Sequence, residues 1–96
     1  MEITGHTVEL LHDPTGILEG DRYEFFLSIT VPEDDELFSE KGLSLRVIFS
    51  VIGDEKKITH YNFVEQGTNK VLDFALEEDE EELVTTYCNQ YYVEAE

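Results

Sequence analysis

Apolar and polar residues alternate along most of the first three quarters of the chain. The alternation is clearest from Tyr23 to Val31 and from Leu43 to Val51, where every second residue is apolar. A period of two is typical of a β-strand that buries one face. The same pattern, over shorter stretches, predicts three further strands around residues 8–12, 57–65 and 71–76.

The period changes from two to about 3.6 after Glu77. One helical stripe then carries Leu83, Val84, Tyr87, Cys88 and Tyr91. We therefore predict a helix that begins between Glu77 and Glu82 and packs on the sheet through Leu83, Tyr87 and Tyr91. Every residue from 77 to 82 is acidic, and the exposed N–H groups and dipole of a helix favour acids in its first turn.

Short turn sequences separate the predicted strands, at residues 13–16, 20–21, 53–54 and 67–69. Short connections favour antiparallel neighbours, and a sheet with one apolar face is typically covered by a helix. The predicted fold class is α+β, an antiparallel sheet of about five strands in meander-like order packed on one C-terminal helix. The length suits one core, so we expect a single small acidic domain over residues 1–96.

The chain is strongly acidic, with 23 Asp and Glu residues against 6 Lys and Arg and a net charge of −17 at pH 7. Direct binding to a nucleic acid needs clustered cations, and an anionic membrane surface would repel this charge, so we expect neither partner. The N-terminus lacks the features of a signal peptide, and a single cysteine cannot form an internal disulfide. These features predict a cytoplasmic protein.

Residues with catalytic or metal-binding chemistry are few and scattered. His6, His12 and His60 match no metal-binding spacing. Cys88 falls late in the predicted helix, away from the helix N-terminus or cation that would activate a thiol. The run 77–82 lacks the alternating ligands and central glycine of an EF-hand loop. We therefore predict no catalytic residue, no metal site and no cofactor.

The sheet face away from the helix offers the strongest candidate site. Strand alternation places a mixed apolar and cationic set there: Arg22, Phe26, Arg46, Ile48, Ile58, His60 and Val64. An exposed apolar patch often marks an interaction surface, and aromatic and arginine side chains dominate many interfaces. The predicted protein-interaction site consists of Arg22, Phe26, Arg46, Ile48 and His60.

Four strings in the chain resemble those of a known family. They are Gly5-His6-Thr7-Val8-Glu9, His12-Asp13-Pro14-Thr15-Gly16-Ile17-Leu18, Gly20-Asp21-Arg22-Tyr23-Glu24-Phe25 and Leu72-Asp73-Phe74-Ala75-Leu76-Glu77. The family comprises short acidic proteins from Bacillus-type bacteria that form a domain of unknown function, and some similar proteins carry the label pullulanase. The resemblance spans nearly the whole chain and implies no catalytic or binding residues.

These observations favour a noncatalytic interaction or regulatory domain, and they allow a protein partner or a homodimer. One alternative is an acidic mimic of nucleic acid that occupies the cationic groove of a DNA-binding protein, which the net charge motivates. Another is a small hydrolase that uses carboxylates such as Asp73 or Glu24. Glycoside hydrolysis would need two carboxyl groups at a set separation across a sugar-binding cleft, and such a cleft normally belongs to a much larger scaffold.

Overall fold

A computed structural model describes residues 1–11, 20–36 and 38–95. Its elements are β1 Glu2–Leu11, β2 Asp21–Thr30, β3 Leu43–Ile52, β4 Glu55–Glu65, β5 Val71–Leu72, α1 Glu78–Tyr91 and a 3₁₀ turn, Tyr92–Ala95. The predicted α+β class, the five-stranded antiparallel meander and the C-terminal helix are confirmed. His12 and the turn predicted at 13–16 lie outside the described residues.

The five strands follow one another across the sheet in chain order, and each is antiparallel to the next. β2 and β3 pair along almost their whole length, from Asp21 with Val51 to Ile29 with Leu43. Gly20 precedes β2 with a φ of +74°, and a Cβ there would collide with the Val51 carbonyl oxygen. Glycine is therefore required where the chain enters this central pair.

The sheet face that α1 covers, here called the inner face, carries the core. Its fully buried side chains come from β2, β3, β4 and α1: Tyr23, Phe25, Leu27, Leu45, Val47, Phe49, Phe63, Val84 and Cys88. The rings of Phe25 and Phe49 meet edge to face, with centroids 6.3 Å apart. Burial of a large apolar side chain contributes about 1.5–3 kcal/mol, so this face provides most of the stabilising contacts.

Helix α1 begins at Glu78, within the predicted range. Glu77 precedes it, and its backbone N–H donates to a carboxylate oxygen of Glu80 at 3.1 Å. The Glu77 carbonyl oxygen accepts the first helical hydrogen bond, from the Glu81 N–H at 2.8 Å. The acidic run thus lies where unpaired N–H groups and the helix dipole favour negative charge.

The predicted helix packing is wrong at Leu83. Leu83 is 45% exposed, whereas Val84 and Cys88 are fully buried, and Tyr87 and Tyr91 pack against the core as predicted. Successive residues project about 100° apart around a helix. A stripe centred on the buried pair at 84 and 88 therefore leaves Leu83 at its solvent edge.

Strand β5 is shorter than the predicted stretch 71–76. It ends at Leu72, whose carbonyl oxygen accepts a hydrogen bond from the Phe74 N–H at 3.0 Å, which bends the chain. The Leu76 N–H then donates to the Tyr61 hydroxyl at 2.9 Å. A side chain of β4 therefore anchors the segment that leads into α1, and this segment does not extend the sheet.

A β-bulge at Thr59 breaks the alternation in β4. Ile48 pairs with His60 and the next residue, Phe49, pairs with Ile58, so Thr59 has no partner across the ladder. The Thr59 hydroxyl donates to the Ile48 carbonyl oxygen at 3.2 Å. The extra residue moves the side chains before it to the other face. Ile58 consequently packs against the core, and its predicted place on the opposite face is wrong.

Candidate functional site

The sheet face turned away from α1, here called the outer face, carries all five residues of the predicted interaction site. Phe26 pairs directly with Arg46, and Ile48 pairs directly with His60. Arg22 lies on the same face of β2, four residues before Phe26. Strands β2, β3 and β4 therefore bring these side chains onto one continuous surface.

Apolar side chains lie in two places on this surface: Phe26 and Ile48 are diagonal neighbours on β2 and β3, and Val64 and Val71 are directly opposed on β4 and β5. Phe26 is 41% exposed on β2, and Val71 is 60% exposed on β5. Val71 pairs with Val64, which is half-buried like Ile48. Exposed apolar side chains that are neighbours in a sheet form the kind of patch that protein partners cover.

Arg46 is held in place beside Phe26 by an ion pair with Glu24. The Arg46 Nη2 lies 2.7 Å and its Nε 2.9 Å from one carboxylate oxygen of Glu24. Hydrogen bonds between charged groups are stronger than neutral ones, and two from one guanidinium fix its orientation. The predicted cationic edge of the patch therefore contains one neutralised arginine, while Arg22 makes no ion pair with any described residue.

A row of Arg22, Ser50 and Lys57 crosses the outer face next to this patch. Ser50 pairs directly with Arg22 on β2 and with Lys57 on β4. Ser50 is 1% exposed, and its hydroxyl is the buried side-chain polar atom without a partner among the described residues. A buried hydroxyl that lacks a hydrogen bond costs about 1–3 kcal/mol.

Simple alternation does not predict that Lys57 lies beside Ser50 on the outer face. Continued from Phe63 and Tyr61, it places Lys57 on the inner face, but the bulge at Thr59 moves it outward. The sequence does carry a signal, because apolar residues at 58, 61 and 63 are spaced by three and then by two. That change of spacing is what a one-residue bulge produces.

Charge is unevenly distributed over the molecule. Three of the six cations, Arg22, Arg46 and Lys57, lie on the outer face. Acids gather instead around an open groove of about 560 Å³ between the segment after β2 and the start of α1, lined by Asp34, Asp35, Glu36, Phe74, Ala75, Glu77 and Glu80. The outer face also carries Glu9, Glu24 and Glu55, so it mixes both signs of charge, whereas the groove is acidic.

On the inner face, His6 joins β1 to the C-terminal segment. The His6 Nδ1 lies 2.7 Å from the Tyr87 hydroxyl, and the Nε2 lies 2.6 Å from a Glu94 carboxylate oxygen. The Tyr91 ring packs on the imidazole with centroids 4.7 Å apart. Unbroken alternation along β1 puts His6 on the inner face with Val8 and Leu10. Both ring nitrogens are engaged, so this cluster ties structural elements together.

The remaining nucleophiles on the inner face are held in their neutral forms. Burial, with smaller contributions from Tyr91 and Glu94, raises the pKa of the Tyr87 hydroxyl above its usual value of 10. Burial raises the pKa of the Cys88 thiol to about 12. A reactive cysteine needs a lowered pKa, so neither group is poised for nucleophilic attack at neutral pH.

The two carboxylates considered for hydrolysis are far apart in the sheet. Glu24 lies in β2 and is paired with Arg46, whereas Asp73 follows β5. Three strand spacings separate these strands, roughly 14 Å at 4.7–4.9 Å each. Glycosidase carboxyl groups lie about 5–9.5 Å apart, so this pair does not form such a site.

The part of the chain that the structure describes holds no group of three or more His, Cys, Asp and Glu side chains placed to bind a metal ion. None of its helices is long and apolar enough to cross a membrane.

A family model matches residues 1–95, almost the whole chain. The chain belongs to DUF6509, a family of unknown function. No curated protein and no solved structure matches it significantly.

Proposed function

We propose that this DUF6509 domain is a noncatalytic interaction module that binds a protein partner through the outer face. The observation that carries the proposal is the exposure of Phe26, at 41%, beside Ile48 on the sheet face opposite α1. An exposed aromatic ring next to a fixed arginine provides the residue types that dominate interface energies. Removal of this apolar surface from water is the driving force for association.

The charges around the patch favour a partner of particular character. Arg22 and Lys57 lie in the cross-strand row next to Ile48, and Arg46 is neutralised by Glu24. A partner surface with an apolar centre and an acidic rim complements this arrangement. A second copy of the chain fits less well, because two bodies at −17 each repel one another.

The gathering of acids at the groove supports one alternative, the acidic mimic that occupies a cationic surface. Its binding would depend on Glu77, Glu80 and their neighbours and would weaken steeply with salt. Binding through the outer face depends mainly on apolar contact. The two proposals therefore predict opposite responses to the same pair of variants.

The test compares capture of partners by the wild type, by a Phe26→Ser/Ile48→Ser variant and by a Leu83→Ser/Val93→Ser control. Leu83 and Val93 are 45% and 52% exposed and lie on the helical layer. Quantitative mass spectrometry on extracts of the native cells should find a protein captured by the wild type and the control but lost by the outer-face variant. Equal capture by all three, with loss on Glu77→Gln/Glu80→Gln, would favour the mimic.

A further inference from the structure

We propose that Arg22, Ser50 and Lys57 form a binding site for the phosphate group of a phosphate monoester. The three residues are direct cross-strand neighbours on the outer face, with Ser50 in the middle. Cβ atoms of directly opposed residues lie about 4.5–5.5 Å apart. One guanidinium, one ammonium and one hydroxyl can therefore reach a single oxyanion above Ser50.

The hydroxyl of Ser50 provides the first independent indication of a ligand. It is 1% exposed and has no hydrogen-bond partner within the described structure. Buried polar groups in folded proteins nearly always have a partner, and an exception calls for a specific role. A phosphate oxygen between Arg22 and Lys57 would accept this hydroxyl's hydrogen.

The two cations provide the second indication, because neither is strongly engaged. Arg22 forms no ion pair with a described residue, in contrast to Arg46 on the same face. Among the described residues, Lys57 pairs with Glu55 alone, at 3.5 Å, and both of these side chains are more than half exposed. Long, weakly engaged side chains in this state can reorient toward a ligand bound beside Ser50.

The chemistry of the set favours phosphate over a single carboxylate. A phosphate monoester carries a charge of about −1.5 to −2 at pH 7 and three acceptor oxygens. Two cations balance that charge, the planar guanidinium donates two parallel hydrogen bonds to an oxyanion, and Ser50 supplies one more donor. A carboxylate would neutralise only one of the cations.

The ligand has two natural sources, a free phosphate monoester or a phosphorylated side chain on a protein. The site goes beyond the proposed function, because a free ester would bind without a protein partner. The Phe26→Ser/Ile48→Ser variant removes the apolar patch and leaves all three phosphate-binding residues in place. Loss of the patch and loss of the phosphate site are therefore separable in one set of variants.

The first experiment is an NMR titration of the ¹⁵N-labelled protein with O-phosphoserine at constant ionic strength. We expect saturable shifts of the Arg22, Ser50 and Lys57 amides, with affinity about tenfold lower in Arg22→Gln and in Lys57→Gln, as for loss of one charged hydrogen bond. Ser50→Ala should also bind more weakly. Lys70→Gln, which makes the same charge change on the turn before β5, is the matched control and should bind like the wild type.

A second titration, with a peptide in which apolar residues flank a phosphoserine, distinguishes the sources. Tighter binding than that of O-phosphoserine, with the gain lost in Phe26→Ser/Ile48→Ser, identifies a partner's side chain. Equal affinities identify a small ester, and either result supports the site. Chemical shifts that do not saturate, or an affinity that falls in Lys70→Gln as much as in Arg22→Gln and Lys57→Gln, would show adventitious ion binding only and overturn the proposal.

Discussion

The His6 Nε2 donates to a Glu94 carboxylate oxygen at 2.6 Å, although 88 positions separate the two residues in the chain. His6 belongs to the first strand and Glu94 to the 3₁₀ turn that follows α1. The contact therefore joins the two ends of the described chain. It fixes the C-terminal segment over the inner face, on the side of the sheet opposite the outer face.

The Tyr87 hydroxyl is the second partner of His6 and should contribute to this closure. We expect Tyr87→Phe to lower the free energy of unfolding by about 1 kcal/mol, because it removes one partly buried hydrogen bond and little else. Urea denaturation measures the loss. In a double-mutant cycle with His6→Phe, the two effects should not add, and strict additivity would show that the residues are not coupled.

Neighbouring residues in α1 should differ sharply in their effect on stability. Val84→Ala removes two fully buried methyl groups and should cost about 2 kcal/mol, whereas Leu83→Ala should cost less than about 1 kcal/mol. Both variants keep good helix formers, so propensity does not account for the difference. Chemical denaturation measures the free energy of unfolding of both variants. A larger loss of stability for Leu83→Ala than for Val84→Ala would show that α1 is rotated differently about its axis.

The Cys88 thiol should resist alkylation in the folded protein. Burial raises its pKa to about 12, so the thiolate is scarce at every pH from 6 to about 10. Iodoacetamide should label Cys88 only after the chain unfolds, at a rate that rises with denaturant. Rapid labelling in native buffer, at the rate of a free peptide thiol, would contradict the buried position.

Glu65 should make stability depend on pH in the acid range. Hydrogen bonds from the Thr68 and Ser39 hydroxyls, at 2.8 and 3.0 Å, lower the pKa of its carboxyl below the usual 4.5. A lowered pKa in the folded state stabilises the fold above 4.5, and this contribution is lost as the pH falls through the folded-state value. Wild type should exceed Glu65→Gln in stability at pH 7, with the gap closing below pH 4.5 in thermal melts. A stability difference that widens as the pH falls would show that folding does not lower the pKa of Glu65.

The sheet and the helix start are predictable from the sequence because burial repeats at regular intervals. Alternating large apolar residues from Tyr23 to Ile29 leave one buried face for β2, and the change of period at Glu77 marks the helix. Leu83 was misplaced because the stripe of five apolar positions is wide enough to allow two rotations of the helix. Only the contacts with the sheet select the rotation that buries Val84.

The candidate sites are less predictable because single bulges control them. The bulge at Thr59 turns Ile58 inward and Lys57 outward, and the bulge at Thr4 likewise reverses the residues before it, Glu2 and Ile3. Neither threonine is unusual for a strand, so only the spacing of the apolar residues signals the shift. Phe26 and Ile48 lie on strands without such a bulge between them, which is why alternation places both on the same face of the sheet.

Site-specific photocrosslinking shows directly whether a protein partner binds the outer face. A benzophenone amino acid at position 26, in the native cells, should give a discrete adduct with one protein on irradiation. The same amino acid at position 83, equally exposed on the helical layer, should not give that adduct. An adduct from position 83 and none from position 26 would show that the partner does not bind the outer face.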